Sequence, residues 1–421
     1  MSAPWLGWYG DDFTGATDTL ATLARRGLRA LLFLDVPDES RLARAGALDA
    51  VGIAGAARSM EPPEMVTALA PVSRFFAALG VRVMHYKCCS TFDSAPHVGS
   101  IGVAAQVLRA DFPNAFLPIL GGQPGLGRYC LFGHLFAAAG TGGAVHRIDR
   151  HPTMSIHPVT PMQEADLRRH LAAQGLSPIA SLPYPAYGQA PEALAAIMAG
   201  GPSAVLLDVS RDEDLAPIGR LIRKAAEAAP LLAIGPSSVA EALALEWPDQ
   251  AAAPPPPRAP GPAFVMVGSL SPVTRAQLEA SPSFERLQAE PGMLIEAGSA
   301  ARALVAEAAA RLRAGRPVLV ATTPPSDAVR LPAGAVARAT ARFVAALMAE
   351  APVRRLGIAG GDTSSLGAQA LDLWGLSYLD TLAPGVTLCR GHSDNPALDG
   401  IELMLKGGQM GPPDLFERFA A

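Results

Sequence analysis

The stretch GWYGDDFTGATDTL, residues Gly7 to Leu20, decides the fold. Trp5 to Tyr9 is a short apolar run of the kind that makes a buried strand, and Gly10 ends it. Asp11 and Asp12 follow, then Thr14 and Gly15. From Ala16 an amphipathic period begins, with Leu20, Leu23 and Ala24 on one helical face. Two acids therefore stand where a strand stops and a helix starts, the edge at which open α/β sheets bind ligands. Adjacent carboxylates repel one another. One is expected to face a substrate or Mg2+ while the other orders the loop. A plain structural role is the alternative, with Asp12 or Thr14 capping the helix.

Outward from this stretch the same alternation repeats. Apolar strands are expected over 28–36, over 50–57 just before Arg58, and over 81–87, with a helix over 64–79 between the last two. This is a βαβ pattern. The fourth strand runs into YKCCSTFDSAPHVGSIG, residues 86–102. Lys87 can neutralise a carboxylate or phosphate, Ser90, Thr91 and Ser94 offer hydroxyls, and Asp93 offers a carboxylate. A serine-rich loop with a surface lysine is the plainer reading. A strand over 115–120 leads into GGQPGLGRY. There Arg128 is the candidate for a substrate carboxylate, because guanidinium pairs bidentately with planar anions. Tyr129 beside it could stack or donate a hydrogen bond. A turn arginine is the alternative. Residues 175–191 read as a loop, strands follow over 204–208 and 231–235, and one domain ends near Pro248.

The chain has 421 residues, half of them apolar, which suggests two domains. DQAAAPPPPRAPGP, residues 249–262, is a proline-rich spacer that cannot enter a helix or sheet interior. It divides an N-terminal domain, 1–248, from a C-terminal domain, 263–421, and the expected architecture is two α/β domains with a cleft between them. A net charge of −4 without a basic tract gives no expectation of nucleic acid as a partner. Four cysteines, two adjacent at Cys88 and Cys89, form neither a secreted disulfide framework nor a zinc spacing. No leader-like opening and no apolar run of spanning length occurs, so a cytoplasmic protein without membrane contact is expected. Nothing in the sequence fixes the oligomeric state, and a homodimer is the working expectation.

In the second domain a strand over 263–268 leads into GSLSPVTRAQLE, where Ser271, Thr274 and Gln277 suit a turn and the first turn of a helix. A strand over 354–359 leads into GGDTSSLGAQAL. Gly360 and Gly361 free the backbone to wrap a phosphate, Thr363, Ser364 and Ser365 supply hydroxyls, and the helix that follows supplies N–H groups. The lysine of a Walker A loop is missing, and the Rossmann glycine spacing is missing too. A tight strand-to-helix turn is the alternative. LMLKGG, residues 403–408, puts Lys406 just before a glycine pair, where a positive charge on a loop suits the β- or γ-phosphate of ATP. A solvent lysine is the alternative.

These motifs resemble those of the four-carbon acid sugar kinase family, in that family's order, from Asp11 to Phe416. They comprise DDFTGATD after the first strand, Lys87 with Ser90 and Thr91, the RY…GHLF and HP-x-TPM-x-E-x-DL segments, GS-x-S-x-x-T-x-x-Q, GGDTS and LK-x-G-x-x-G. The resemblance implies ATP and Mg2+ as cofactors and a small sugar acid as partner. It places Ser271, Gly360, Gly361, Asp362, Thr363, Ser364, Lys406, Gly408 and Gly411 at the nucleotide, and Met162, Glu164 and Asp166 as lining of the substrate side. Many members read K-x-D-S-T-L-R-G where this chain has Cys89, Asp93 and Ser94, a departure similar to the 3-oxo-tetronate kinase branch. The implied reaction is ATP-dependent phosphorylation of the 4-hydroxyl of 3-oxo-tetronate. Asp11, Lys87, Ser90, Thr91, Arg128, Tyr129 and Met162 would hold the acid. Asp12 or Asp93 would orient or deprotonate the hydroxyl, and Lys406 would offset phosphate charge. Asp11 and Asp12 could equally hold the metal. D-threonate or D-erythronate as substrate, a non-catalytic sugar-acid-binding protein, and a metal-assisted hydrolase or aldolase are the rival readings.

Overall fold

The apolar run that opens the chain is a strand, Leu6–Gly10, every residue of which is buried. The computed structural model describes residues 3–140, 142–248, 256–269, 271–322 and 333–421, with only the backbone described for Ala333 and Asp362. The chain divides into two compact units, Met1–Ala253 and Pro254–Ala421. Both are α/β domains. Residues 249–255 of the proline-rich spacer lie outside the described residues.

Among the described residues the first unit has eleven strands: β1 (Leu6–Gly10), β2 (Ala30–Phe33), β3 (Ala50–Ala54), β4 (Val83–Lys87), β5 (Pro118–Gly121), β6 (Arg128–Leu131), β7 (His134–Ala138), β8 (Val145–Arg147), β9 (Ile179–Leu182), β10 (Ala204–Asp208) and β11 (Leu231–Gly235). Eight of them form a parallel sheet in the order β2-β3-β1-β4-β11-β5-β10-β9. All residues of β1, β3, β4, β5, β10 and β11 are buried, as expected of parallel strands covered on both faces. From β1 the chain crosses to one side of the sheet, to β2 and β3, whereas β4 lies on the other side and its connection continues away. The carboxyl ends of β1 and β4 thus flank a topological switch point, where such sheets form a ligand crevice.

Two segments depart from the sequence expectation. The stretch read as loop after residue 174 contains β9, a half-buried edge strand. The RYCLFGHLF segment is an antiparallel hairpin, β6 and β7, extended by β8 into a separate three-stranded sheet. Its turn is set from a distance: the Asp208 carboxylate, at the end of β10, accepts the N–H groups of Phe132 at 2.6 Å and Gly133 at 2.9 Å.

The second unit has seven strands among the described residues: β12 (Ala263–Val267), β13 (Glu285–Ala289), β14 (Val318–Thr322), β15 (Arg355–Ala359), β16 (Gly375–Ala383), β17 (Val386–His392) and β18 (Glu402–Lys406). Their order is β13-β14-β12-β15-β18-β17-β16, parallel as far as β18, with β17 antiparallel to both its neighbours. The APGV segment is the turn between β16 and β17, with Gly385 at φ 71°. The chain leaves β12 toward β13 and β14 and leaves β15 toward the opposite edge, so β12 and β15 form a second switch point. Val265, Val267, Phe284, Met404, Phe416 and Phe419 belong to the core beneath it. Among the described residues no helix is long and apolar enough to cross a membrane.

Candidate functional site

At the first switch point the ends of β1, β3 and β4 deliver Asp11 and Asp12, Arg58, and Lys87 to Ser94. Asp12 caps the helix Phe13–Ala24: Oδ1 accepts the Gly15 N–H at 2.7 Å, and Oδ2 pairs with Arg58 Nη2 at 2.6 Å. Burial pushes the Asp12 carboxyl up, but the Arg58 and Lys87 charges and the Gly15 N–H hold it below the usual carboxylate range. Both its oxygens are engaged, so the capping reading of Asp12 is met and its place as the base that takes a substrate proton is weakened. Asp11 is the opposite case. Its carboxylate accepts no hydrogen bond among the described residues, and Oδ1 is buried. Burial and the Asp12 charge raise its pKa to about 7.

Lys87 ends β4 and donates to the Cys88 carbonyl at 2.9 Å. Burial alone would lower its pKa, but Asp12 and Asp11 raise it above the usual value, so it is a buried cation rather than a surface lysine. Gly15 makes room for it: a Cβ there would overlap Lys87 Nζ and lie 2.5 Å from Asp12 Oδ1. Thr91 Oγ1 donates to Asp93 Oδ1 at 2.5 Å and stands 3.0 Å from Cys89 Sγ. Ser90 is buried. Between Thr91 and Asp93, Phe92 sits at φ 54°.

Arg128 opens β6 beside this cluster. Its guanidinium is desolvated, which lowers its pKa, against the opposing charges of Asp93 and Asp18. One nitrogen donates to the Leu126 carbonyl, while Nε is buried without a partner among the described residues. Tyr129 is half-buried opposite Phe136. Met162, expected on the substrate side, is fully buried. Asp166 caps the helix Leu167–Ala172 and pairs with Arg168, and Glu164 accepts the Asp166 N–H at 2.9 Å and pairs with Arg169. Both acids are local structure.

Arg58, Asp18 and Gln123 complete the cluster and were not singled out from the sequence. Asp18 accepts from Gln123 Nε2 at 3.0 Å and from Ser237 Oγ. Arg58 carried a usable signal, since it closely follows an apolar strand just as Lys87 ends one.

In the second unit the ends of β12, β15 and β18, neighbours in the sheet, bring three loops together. Gly360, at φ 130°, caps the helix Gly361–Gln369 and donates its N–H to the Lys406 carbonyl at 2.9 Å. The N–H groups of Gly268 and Ser269 both reach the Ala359 carbonyl, at 2.9 and 3.2 Å. A Cβ on Gly360 would stand 3.2 Å from Thr363 Oγ1, and one on Gly408 2.6 Å from Ser269 Oγ. Glycine is needed at Gly360 by its left-handed φ, and at Gly408 it gives the Ser269 side chain room. Ser364 and Ser365 turn their hydroxyls onto main-chain carbonyls, Ile358 at 2.9 Å and Gly361 at 3.1 Å. The expected phosphate-facing hydroxyl of Ser364 is therefore spent on the framework. Thr363 is buried with no hydrogen bond to its hydroxyl among the described residues, and the Asp362 side chain lies outside them.

Lys406 is the main correction here. It ends β18 with 0 % exposure and is not a loop lysine. Its ammonium donates to Thr274 Oγ1 at 2.8 Å and Gln277 Oε1 at 2.7 Å, two neutral oxygens, and lies 5.8 Å from the Phe416 ring centroid. Burial pulls its pKa down to about 7. Thr274 and Gln277, themselves fully buried, carry its position to the glycine loop. Thr274 Oγ1 donates to the Gly408 carbonyl at 2.8 Å, and Gln277 Nε2 reaches the carbonyls of Met410, Gly411 and Pro412 at 2.9, 3.1 and 3.0 Å. Gly411 takes φ 87°. Ser271 caps the helix Pro272–Glu279, its plainer reading, and also donates to the Gly408 carbonyl. No cluster of three His, Cys, Asp or Glu side chains able to cage a metal occurs among the described residues.

Comparison with known proteins adds to this geometry. Residues 6–243 match the model of a sugar-binding N-terminal domain and residues 264–416 that of a nucleotide-binding C-terminal domain. A 3-oxo-isoapionate kinase from Paraburkholderia graminis is 37% identical over 98% of this chain and 93% of its own length. A 3-oxo-tetronate kinase from Cupriavidus necator is 32% identical over 98% and 96%. A solved Salmonella typhimurium protein, described as a tRNA synthase, superposes with a TM-score of 0.80 at 26% identity over 98% of both chains.

Proposed function

The chain belongs to the family that joins a sugar-binding N-terminal domain to a nucleotide-binding C-terminal domain, and from that premise we propose that it is an ATP-dependent kinase acting on the 4-hydroxyl of a 3-oxo four-carbon sugar acid. The observation that carries the reading is the set of unspent groups at the first switch point. The Arg128 Nε and the Asp11 Oδ1 are both buried there with no hydrogen-bond partner among the described residues. A cation and an acid left unsatisfied inside a protein are costly, and a substrate bearing a carboxylate at one end and a hydroxyl at the other relieves both.

In this reading Arg128 holds the substrate carboxylate through two parallel hydrogen bonds. Asp93, fixed by Thr91, accepts from a substrate hydroxyl. Asp11 takes the proton of the attacking hydroxyl, its pKa of about 7 suiting a general base at neutral pH. Asp12 holds Arg58 and Lys87 in place, and these cations keep the cluster from accumulating negative charge. In the second domain the glycine turns at Gly360 and Gly408, the free N–H groups of the helix Gly361–Gln369 and the Lys406 ammonium receive the phosphates. Mg2+ fits a site of this kind, because it is held by one or two carboxylates together with substrate phosphates; Asp11 and Asp12 are the carboxylates at hand, and an Asp11 that ligated Mg2+ would not also be the base. When bound it neutralises charge on the β- and γ-phosphates.

The STFDS form at Ser90 to Ser94 supports a 3-oxo acid, with 3-oxo-tetronate as the first candidate. The 37% identity to a 3-oxo-isoapionate kinase supports 3-oxo-isoapionate as the second. The experiment is ADP release from ATP and Mg2+ with these two acids, D-threonate and D-erythronate. A preference of about tenfold in kcat/KM for a 3-oxo acid, roughly 1.4 kcal/mol, is expected. Preference for either saturated acid moves the chain to another branch, and ADP release with none of them removes the kinase reading.

A further inference from the structure

Phe92 is a fully buried residue that is not glycine yet adopts φ 54°. The left-handed region costs such a residue on the order of 1–2 kcal/mol, so its surroundings must enforce it. The Phe92 carbonyl accepts from Ser94 Oγ at 2.9 Å, and His170 Nε2 stands 3.0 Å from that carbonyl. Gln174 Nε2 donates to Ser94 Oγ at 2.8 Å, and Gln174 Oε1 accepts the Ile101 N–H at 2.8 Å. His170 Nε2 also stands 3.0 Å from Ser94 Oγ and 3.0 Å from Gln174 Nε2, so it is the centre of this group. The tautomer with its proton on Nε2 donates to the Phe92 carbonyl. His170 and Gln174 come from one helix and its C-terminal end, and Gly102 lets that end approach, since a Cβ there would overlap the Gln174 carbonyl. Next along the strained turn stands Asp93, on the side of Arg58 and Arg128.

We propose that His170 is a positioning residue: with Gln174 and Ser94 it pins Phe92 in the left-handed conformation and thereby fixes the Asp93 carboxylate against the sugar acid. This rests on the reading of Asp93 as a substrate contact given above. The Phe92 N–H donates to the Cys89 carbonyl at 2.9 Å, which fixes the near side of the turn; the carbonyl side, next to Asp93, is held by Ser94 and His170, so removal of the Nε2 donor loosens it and lets Asp93 shift. A displacement of about 1 Å at such a group can cost about 10²-fold in rate.

The test compares His170→Gln, whose amide nitrogen can stand where Nε2 stands, with His170→Leu, which fills the space without a donor. A cavity of about 350 Å3 borders His170, so leucine does not overpack the site. The full-length protein is assayed with ATP and the preferred acid. H170Q is expected to keep kcat/KM for the acid within about threefold, and H170L to lose about 10- to 100-fold with KM for ATP unchanged. Equal loss in both variants, or wild-type efficiency in H170L, overturns the proposal. If H170L fails to fold, Gln174→Met, which frees Ser94, must produce the same acid-selective loss. If the wild type binds the acid without phosphorylating it, the kinase reading fails separately, and calorimetric acid affinity replaces kcat/KM: H170L must weaken it and H170Q must not. A wild type that binds no acid overturns the proposal as well.

Discussion

Lys406 offers a prediction that can be worked from the structure. Its ammonium is buried against two neutral oxygens, with no carboxylate paired to it among the described residues, and burial lowers its pKa from 10.5 to about 7. An anionic phosphate placed against it restores the charge, so MgATP binding at this lysine must take up a proton. At about pH 8 the ligand-free lysine is roughly nine-tenths neutral, so close to 0.9 proton is absorbed per ATP. The same linkage weakens the apparent Kd by about eightfold between about pH 7.5 and 8.5. Isothermal titration in two buffers of different ionisation enthalpy reads the proton directly. Lys406→Met should abolish the uptake and weaken ATP binding. Without nucleotide the sign reverses: between about pH 7 and 10.5 the unfolded chain binds more protons than the folded one, so stability rises with pH across that window, by at most about 5 kcal/mol at 1.36 kcal/mol per unit. K406M should flatten this rise. A buffer-independent enthalpy together with a Kd constant across the pH range would refute the placement of phosphate at Lys406.

Three further outcomes are expected in the first domain. Arg128→Lys should lower kcat/KM for the acid by about 10- to 100-fold, the equivalent of 1.5–3 kcal/mol for hydrogen bonds to a charged group, with KM for ATP unmoved; equal damage to both substrates would show that Arg128 does not serve the carboxylate. Asp11, whose pKa is raised to about 7 by burial and by Asp12, costs the folded state stability as pH rises from about 4 to 7, so Asp11→Asn should abolish turnover yet raise Tm at about pH 8, and an unchanged Tm profile would contradict it. Arg58→Leu strands the buried Asp12 carboxylate and should cost about 3–5 kcal/mol in urea unfolding. Asp12 is held below its ordinary pKa, so its contribution is present above about pH 4 and lost as pH falls through the folded value; in R58L that depression is lost and acid neutralises the stranded carboxylate, so the deficit relative to the wild type should shrink as pH falls.

The parts legible in the sequence were those written locally. The apolar run ending at Gly10 located both the strand and the acids beyond it, and the run ending at Lys87 did the same for the second loop. The cap formed by Asp12 lies within three residues of its donor, Gly15. What could not be read depends on contacts far along the chain. The partner of Asp12, Arg58, is 46 residues away. The β6–β7 turn is set by Asp208, which captures Phe132 across 76 residues. A lysine before two glycines reads as a loop lysine, and only Thr274 and Gln277, more than a hundred residues earlier, make Lys406 a core residue. The GGDTSS stretch announces a glycine turn but not the direction of its hydroxyls, which the Ile358 carbonyl decides for Ser364.

The most direct measurement is a 31P NMR spectrum of the products after the full-length protein has acted on ATP, Mg2+ and 3-oxo-tetronate. The expected result is ADP together with an equal amount of a phosphomonoester whose phosphorus couples to the two protons of a CH2 group, placing the phosphoryl group on the terminal hydroxyl. A spectrum that holds only unreacted ATP, or ADP with inorganic phosphate, with 3-oxo-tetronate and equally with 3-oxo-isoapionate, would contradict the assignment of this protein as a sugar-acid kinase.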